Sequence, residues 1–374
     1  MTSLNEPSPE GDVRTIPPGE RRGMVTVPSS KSIAHRELIA AALSGVPAPV
    51  IRGESRDTRA TRACLAAMLA GEREWPCGES GTTYRLLEPL AGVMGWRGEF
   101  RCEGRLASRP RLPFERKPRY VIPGNVSSQF VSGLLMALPL AAWDGEIAVE
   151  GALQGLAYVR LTEDVLRAAG IRFDFRDTPE GPRWAVPGGQ RYHIAGGREV
   201  EGDWSQAAFF FAMGGVEVRG LSAQTRQGDA AVTGLLAAIR ANPRGGSLAL
   251  DCSSVPDLVP ALAAAAAGGA GDVRFTGCGR LRLKESDRLE TTAAMVRAVG
   301  GEVAIDGDAL VVSGGRPLAG GVVDACNDHR IAMASAVLAR FCRGPVTVRG
   351  ASCVAKSYPG FWDDLARLEV VGPC

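Results

Sequence analysis

Histidine is scarce in this sequence, with 3 in 374 residues, and none of its 9 cysteines forms a Cys-x-x-Cys pair. The familiar zinc and iron spacings are therefore missing, and no metal site is expected. The odd cysteine count leaves no complete disulfide framework, which fits a reducing cytoplasm. No uncharged apolar run is long enough to span a bilayer, and residues 1–20 lack the basic-then-apolar order of a signal peptide, so no membrane partner is expected. Excess charge is also missing: 43 Lys and Arg stand against 41 Asp and Glu, a net charge of +2. That balance argues against a surface that wraps nucleic acid, so no nucleic-acid partner is expected, and any basic cluster should be a local pocket for a small anion. No long Gly or Ser linker divides the chain, although its length allows two or more domains.

What is present is a recurrent kind of helix start. Pro28-Ser29-Ser30-Lys31-Ser32-Ile33-Ala34-His35-Arg36 runs into an apolar segment that stops at Ser44-Gly45, predicting a helix from near Ser30 to near Ser44. Lys31 and Arg36 place positive charge where a helix N-terminus is already positive, an arrangement that an anion relieves. Further helices are predicted after Ser80-Gly81-Thr82-Thr83-Tyr84-Arg85, Asn125-Val126-Ser127-Ser128-Gln129, Gly202-Asp203-Trp204-Ser205 and Val255-Pro256-Asp257. Two more are predicted from Lys284-Glu285-Ser286-Asp287-Arg288 and Asn327-Asp328-His329-Arg330. Short β-rich pieces lie between them, among them Glu146–Val149, Ser247–Leu250, Val273–Phe275 and Val346–Val348. Met1 to Glu20 reads as a mobile leader before a strand at Gly23–Val27. One cationic helix start is an ordinary surface lysine, but seven cations at equivalent positions call for several anionic groups. Lys31, Arg36, Arg85, Lys284, Arg288, Arg330 and Lys356 are those cations, and Asp257, Glu285, Asp328 and His329 are the candidate proton handlers.

Taken in order, these motifs, with Arg109-Pro110 and Ala355-Lys356, resemble those of the 5-enolpyruvylshikimate-3-phosphate synthases, the enolpyruvyl transferases of the shikimate pathway, from about Val25 to Leu368. The resemblance implies an α+β fold: two similar domains of repeated βαβαββ units around buried helices, with the active site in their cleft. Residues 29–202 would form the domain on the shikimate-phosphate side, with one repeat truncated near 110–126, and residues 1–28 plus 203–374 the other. It further implies a cytoplasmic monomer, without cofactor, that moves the enolpyruvyl group of phosphoenolpyruvate to the 5-hydroxyl of shikimate 3-phosphate and releases phosphate. By position, Ser127, Ser128 and Tyr158 would hold shikimate 3-phosphate, and Ser32 and Arg36 its carboxylate. Arg85, Arg109, Gln129, Arg288, Arg330 and Lys356 would grip phosphoenolpyruvate, and Gly81 and Lys284 would also be substrate-binding. Lys31, Asp257, Glu285, His329 and Lys356 would carry catalysis, with Asp257 taking the hydroxyl proton and Glu285 the proton at the methylene carbon.

Three departures from the family pattern stand out. Only 18 positions separate Arg109 from Ser127, too few for a further helix and strand crossover, so Pro113–Pro118 should be a tight loop or short strand in a shortened first domain. Gly155 stands where a phosphate-binding serine is usual, and Arg280 and Glu79 each replace an asparagine. Because the donor side is kept better than the acceptor side, two other readings stay open: a related transferase with a different hydroxylated acceptor, and a catalytically silent anion-binding paralogue.

Overall fold

The structure, a computed structural model, describes residues 12–108, 114–124, 128–151, 153 and 155–372. Its contacts divide the chain into two units. One holds Pro28–Asp203 and Ser222–Gly228; the other holds the chain up to Val27, Trp204–Leu221 and everything from Asp229 onward.

In the Pro28–Asp203 unit, α1 (Lys31–Ser44) starts after Ser30 and ends at Gly45, whose φ of 66° is the left-handed stop that glycine adopts freely. α2 (Arg56–Leu69) opens with a capping box: the Ser55 side chain accepts from the Thr58 amide, and the Thr58 hydroxyl accepts from the Ser55 amide. α3 (Gly81–Met94) is capped by Ser80, which accepts from the Thr83 amide. α4 (Ser128–Ala137) is buried except at Gln129, and α5 (Leu156–Ala168) carries an apolar face of Val159, Leu161, Val165 and Leu166. Gly133 lets α4 meet α3 backbone to backbone, since a Cβ there would lie 2.1 Å from the Arg85 carbonyl oxygen.

α4 and α5 connect a four-stranded sheet ordered Arg119–Pro123, Gly145–Glu150, Gly181–Val186, Asp174–Thr178. Its first pair is parallel and the other two antiparallel, which makes one βαβαββ unit. The other sheet here is a two-stranded parallel pair, Glu74–Gly78 with Glu99–Cys102, whose crossover is α3. Between Cys102 and Arg119 the described residues form one 3-10 turn, Gly104–Ser108, and then loop. Of the loop expected over 113–118, Pro113 lies outside the described residues and 114–118 are loop.

The second unit contains α6 (Trp204–Met213), α7 (Val232–Ala241), α8 (Val259–Ala267), α9 (Arg288–Ala298), α10 (His329–Phe341) and α11 (Phe361–Arg367). Its four-stranded sheet, Ser247–Asp251, Asp272–Thr276, Ala309–Ser313, Glu302–Asp306, repeats the order and strand directions of the first unit's sheet. Two three-stranded sheets complete it. α8 is buried along its whole length because its Ala side chains, bracketed by Val259 and Leu262, let neighbours approach on every face. Phe209, Phe210 and Phe361 are fully buried, each contributing about 1.5–3 kcal/mol on removal from water.

Three expectations change. Val13–Ile16 is no part of a mobile leader: it pairs antiparallel with Val346–Arg349, and Glu20 already belongs to the next strand. The helix expected from Lys284 begins at Arg288, because Asp287 takes the cap position and accepts from the Glu290 amide. Helices α2, α5, α7 and α11 were not anticipated. No helix among the described residues is long and apolar enough to cross a membrane.

Candidate active site

In the Pro28–Asp203 unit the expected residues gather at the starts of α1, α3 and α4. The Lys31 amide donates to Asp203 Oδ2 at 2.9 Å, and its Nζ donates to Asp57 Oδ2, also at 2.9 Å. Arg36 is buried, and the four partners of its guanidinium are neutral: Nε donates to Thr162 Oγ1 (2.7 Å), Nη2 to Ser132 Oγ (3.2 Å) and the Tyr158 carbonyl (2.9 Å), and Nη1 to the Ser32 carbonyl. Burial pushes its pKa down to about 10. Arg85 donates to Gln129 Oε1 at 3.0 Å, and Gln129 Nε2 donates to Thr82 Oγ1 at 2.8 Å, which ties the starts of α3 and α4 together. Gly81 and Ser128 are the buried first residues of those helices. Arg109 and Ser127 lie outside the described residues.

The second unit assembles a denser, fully charged cluster. Asp257 Oδ1 lies 2.8 Å from Arg288 Nη1 and 3.0 Å from Lys284 Nζ, and Oδ2 lies 3.2 Å from Arg330 Nη2. Burial raises the Asp257 carboxyl, but the fields of Arg330, Lys284 and Arg288 outweigh it and hold the group well below the usual carboxylate range. Burial pushes Lys284 down to about 8, against the pull of Asp257. Arg288 also grips Asp328 with two donors, Nε to Oδ2 at 2.8 Å and Nη2 to Oδ1 at 3.0 Å. Asp328 caps α10 by accepting from the Arg330 amide, and the Ser286 hydroxyl donates to it at 2.9 Å. His329 Nδ1 lies 2.7 Å from Glu285 Oε2, with the imidazole buried. Lys356 Nζ donates to the Asn327 carbonyl at 2.9 Å. Cys326 and Asn327 both adopt left-handed backbone, φ 50° and 55°, uncommon for two successive non-glycine residues.

Ligand atoms of Glu285, Asp328 and His329 lie within 4.8 Å of one another, close enough to share a metal ion. The Arg288 fork already occupies the cation's place on Asp328.

Sequence reasoning missed Asp57 and Asp203, the two carboxylates on Lys31, and Thr162, Ser132 and Ser205, the hydroxyls on Arg36 and Arg330. Asp57 had a usable signal: Ser55-Arg56-Asp57-Thr58 is a cap, and Cys64, Leu65 and Met68 follow at helical spacing. The hydroxyls had none, because nothing in a lone Ser or Thr marks a tertiary partner.

A family model described as EPSP synthase (3-phosphoshikimate 1-carboxyvinyltransferase) matches residues 108–365. Among curated relatives, the 3-phosphoshikimate 1-carboxyvinyltransferase of Clostridium kluyveri is 34% identical, over 95% of this chain and 96% of the relative. That of Clostridium acetobutylicum is 32% identical, over 93% and 95%. Among solved structures, EPSP synthase from Acinetobacter baumannii superposes with a TM-score of 0.71 at 22% identity, covering 96% of this chain and all (100%) of that one. The enolpyruvyl transferase NikO from Streptomyces tendae superposes at 0.65 with 16% identity, covering 96% of this chain and 97% of its own. At those identities the two structures establish the fold.

Proposed function

The chain belongs to the EPSP synthase family and is an enzyme that transfers the carboxyvinyl group of phosphoenolpyruvate to 3-phosphoshikimate; from that premise we propose how its own residues carry the reaction. The two readings left open above, a different acceptor and a silent paralogue, give way to this one. The observation that carries the proposed mechanism is the Glu285–His329 contact of 2.7 Å beside a carboxylate, Asp257, that is ringed by Lys284, Arg288 and Arg330. Proton handling and anion binding thus share one cluster.

Asp257 is a weak base while three cations hold it. An incoming phosphate and carboxylate compete for Lys284, Arg288 and Arg330, and each cation drawn away raises the proton affinity of Asp257. Asp257 then takes the proton of the acceptor hydroxyl as its oxygen bonds to C2 of phosphoenolpyruvate, and Glu285, set by His329, delivers a proton to the methylene carbon. The resulting tetrahedral adduct loses phosphate. Removal of a proton from its methyl group restores the vinyl ether. Lys356, anchored to the Asn327 carbonyl, supplies positive charge for the departing phosphate. In the Pro28–Asp203 unit, Ser32, Arg36, Ser127, Ser128 and Tyr158 serve the acceptor, Gly81, Arg85, Arg109 and Gln129 serve the donor, and Lys31 serves both. The domain limits of 29–202 and 203–374 plus 1–28 are proposed on the same basis. The eight described cysteines, all free thiols, support a cytoplasmic setting.

The test is phosphate release from phosphoenolpyruvate with 3-phosphoshikimate or, in a parallel reaction, UDP-N-acetylglucosamine as acceptor. Release with the first alone is expected, and none with it overturns the reading.

A further inference from the structure

We propose that His35 is a positioning residue for this reaction: it donates from Nδ1 into a buried hydroxyl chain that fixes the start of α3. The proposal rests on the donor-side role given above to Gly81 and Arg85. His35 Nδ1 lies 2.6 Å from Thr61 Oγ1, and Thr61 Oγ1 lies 2.7 Å from Thr83 Oγ1. Thr83 Oγ1 in turn lies 2.7 Å from Ser80 Oγ and 3.3 Å from the Asp57 carbonyl oxygen. All four of these side chains are buried, so water does not complete the network.

Only one set of proton directions makes all four contacts hydrogen bonds. The Asp57 carbonyl can only accept, so the single Thr83 hydroxyl proton goes there. Thr83 Oγ1 must then receive from both Thr61 and Ser80. Thr61, its own proton used, must accept from His35, which fixes the neutral tautomer with hydrogen on Nδ1 and a bare Nε2. Burial, then the charges of Lys31 and Arg36, hold the imidazole's pKa well below its ordinary value, in keeping with a neutral ring. Among the described residues Nε2 is buried and has no hydrogen-bond partner, as a bare nitrogen would be.

The chain ends at two functional points. Ser80 caps α3 at Gly81, and Asp57, on α2, receives the Lys31 ammonium. Removing the His35 donor leaves the buried Thr61 oxygen without the bond it accepts and loosens its hold on Thr83 at the α3 start.

His35→Leu and His35→Asn in the full chain test this. Asparagine can place its amide N–H where Nδ1–H was; leucine fills the space without a donor. His35→Leu should raise KM for phosphoenolpyruvate about tenfold, the worth of one hydrogen bond, and lower kcat, while His35→Asn restores both. If leucine leaves both constants unchanged, or asparagine is as damaging as leucine, the proposal is overturned. If the leucine variant does not fold, the nitrogen-15 spectrum of the wild-type imidazole decides: a protonated Nδ1 and bare Nε2 are expected, and the opposite tautomer refutes the chain. That spectrum needs no turnover, so it separates failure of this proposal from failure of the assigned reaction.

Discussion

Arg36 and Arg288 are both fully buried guanidinium groups near the start of a helix, one in each unit, and they are kept in opposite ways. Arg288 faces Asp328, Asp257 and Glu285, and after the cost of burial these carboxylates raise its pKa above the ordinary value. Arg36 has only hydroxyl and carbonyl oxygens for partners among the described residues, and burial lowers its pKa to about 10. The second unit therefore carries its own counter-charge, whereas Arg36 has none among its described partners; under the proposed mechanism a ligand supplies it. A carboxylate-bearing acceptor is the kind of ligand that would complete it.

The comparison breaks first at Glu285. Glu285→Gln should cut turnover by about 10²- to 10⁴-fold with little change in KM, measured by initial rates of phosphate release. Unchanged turnover would remove the charged cluster from the proton steps. Arg288→Met should come next: it strands the buried Asp328 carboxylate, at a cost of about 3–5 kcal/mol in denaturant unfolding. Arg36→Met strands neutral oxygens alone, so about 1–3 kcal/mol is expected, together with a higher KM for 3-phosphoshikimate. Equal losses in these two variants would mean that the two arginines are not kept differently after all.

The smallest effect is a slope. Lys284 holds its proton up to about pH 8 in the folded protein and to its ordinary 10.5 when unfolded. Across that window the unfolded chain binds more protons, so this group makes stability rise with pH. Turnover should fall over the same window, as the ammonium is lost from the anion site. A pH series of melting temperature against kcat/KM would show the two trends diverging, and parallel trends would contradict the assignment.

Much of this was legible in the sequence. α1, α3 and α10 could be read because cap, apolar period and terminal residue lie within one stretch of chain, and Asp257, Glu285 and His329 because they sit at such starts. The strand Val13–Ile16 could not, since four residues within a Pro-rich, largely polar stretch become a strand only beside Val346–Arg349. Nor could the inward fate of Arg36, which depends on Ser132 and Thr162 arriving from α4 and α5. Local rules report the start of a helix, and tertiary packing decides what its first side chains meet.

At Gly133 the main chains of α3 and α4 touch with no side chain to cushion them. The Arg85–Gln129–Thr82 hydrogen bonds join the same two helices a second time, near their starts. Arg85 stands on one helix and Ser128 and Gln129 on the other, so a bulkier residue at Gly133 should be read out as displaced donor and acceptor groups together, in a raised KM for both substrates.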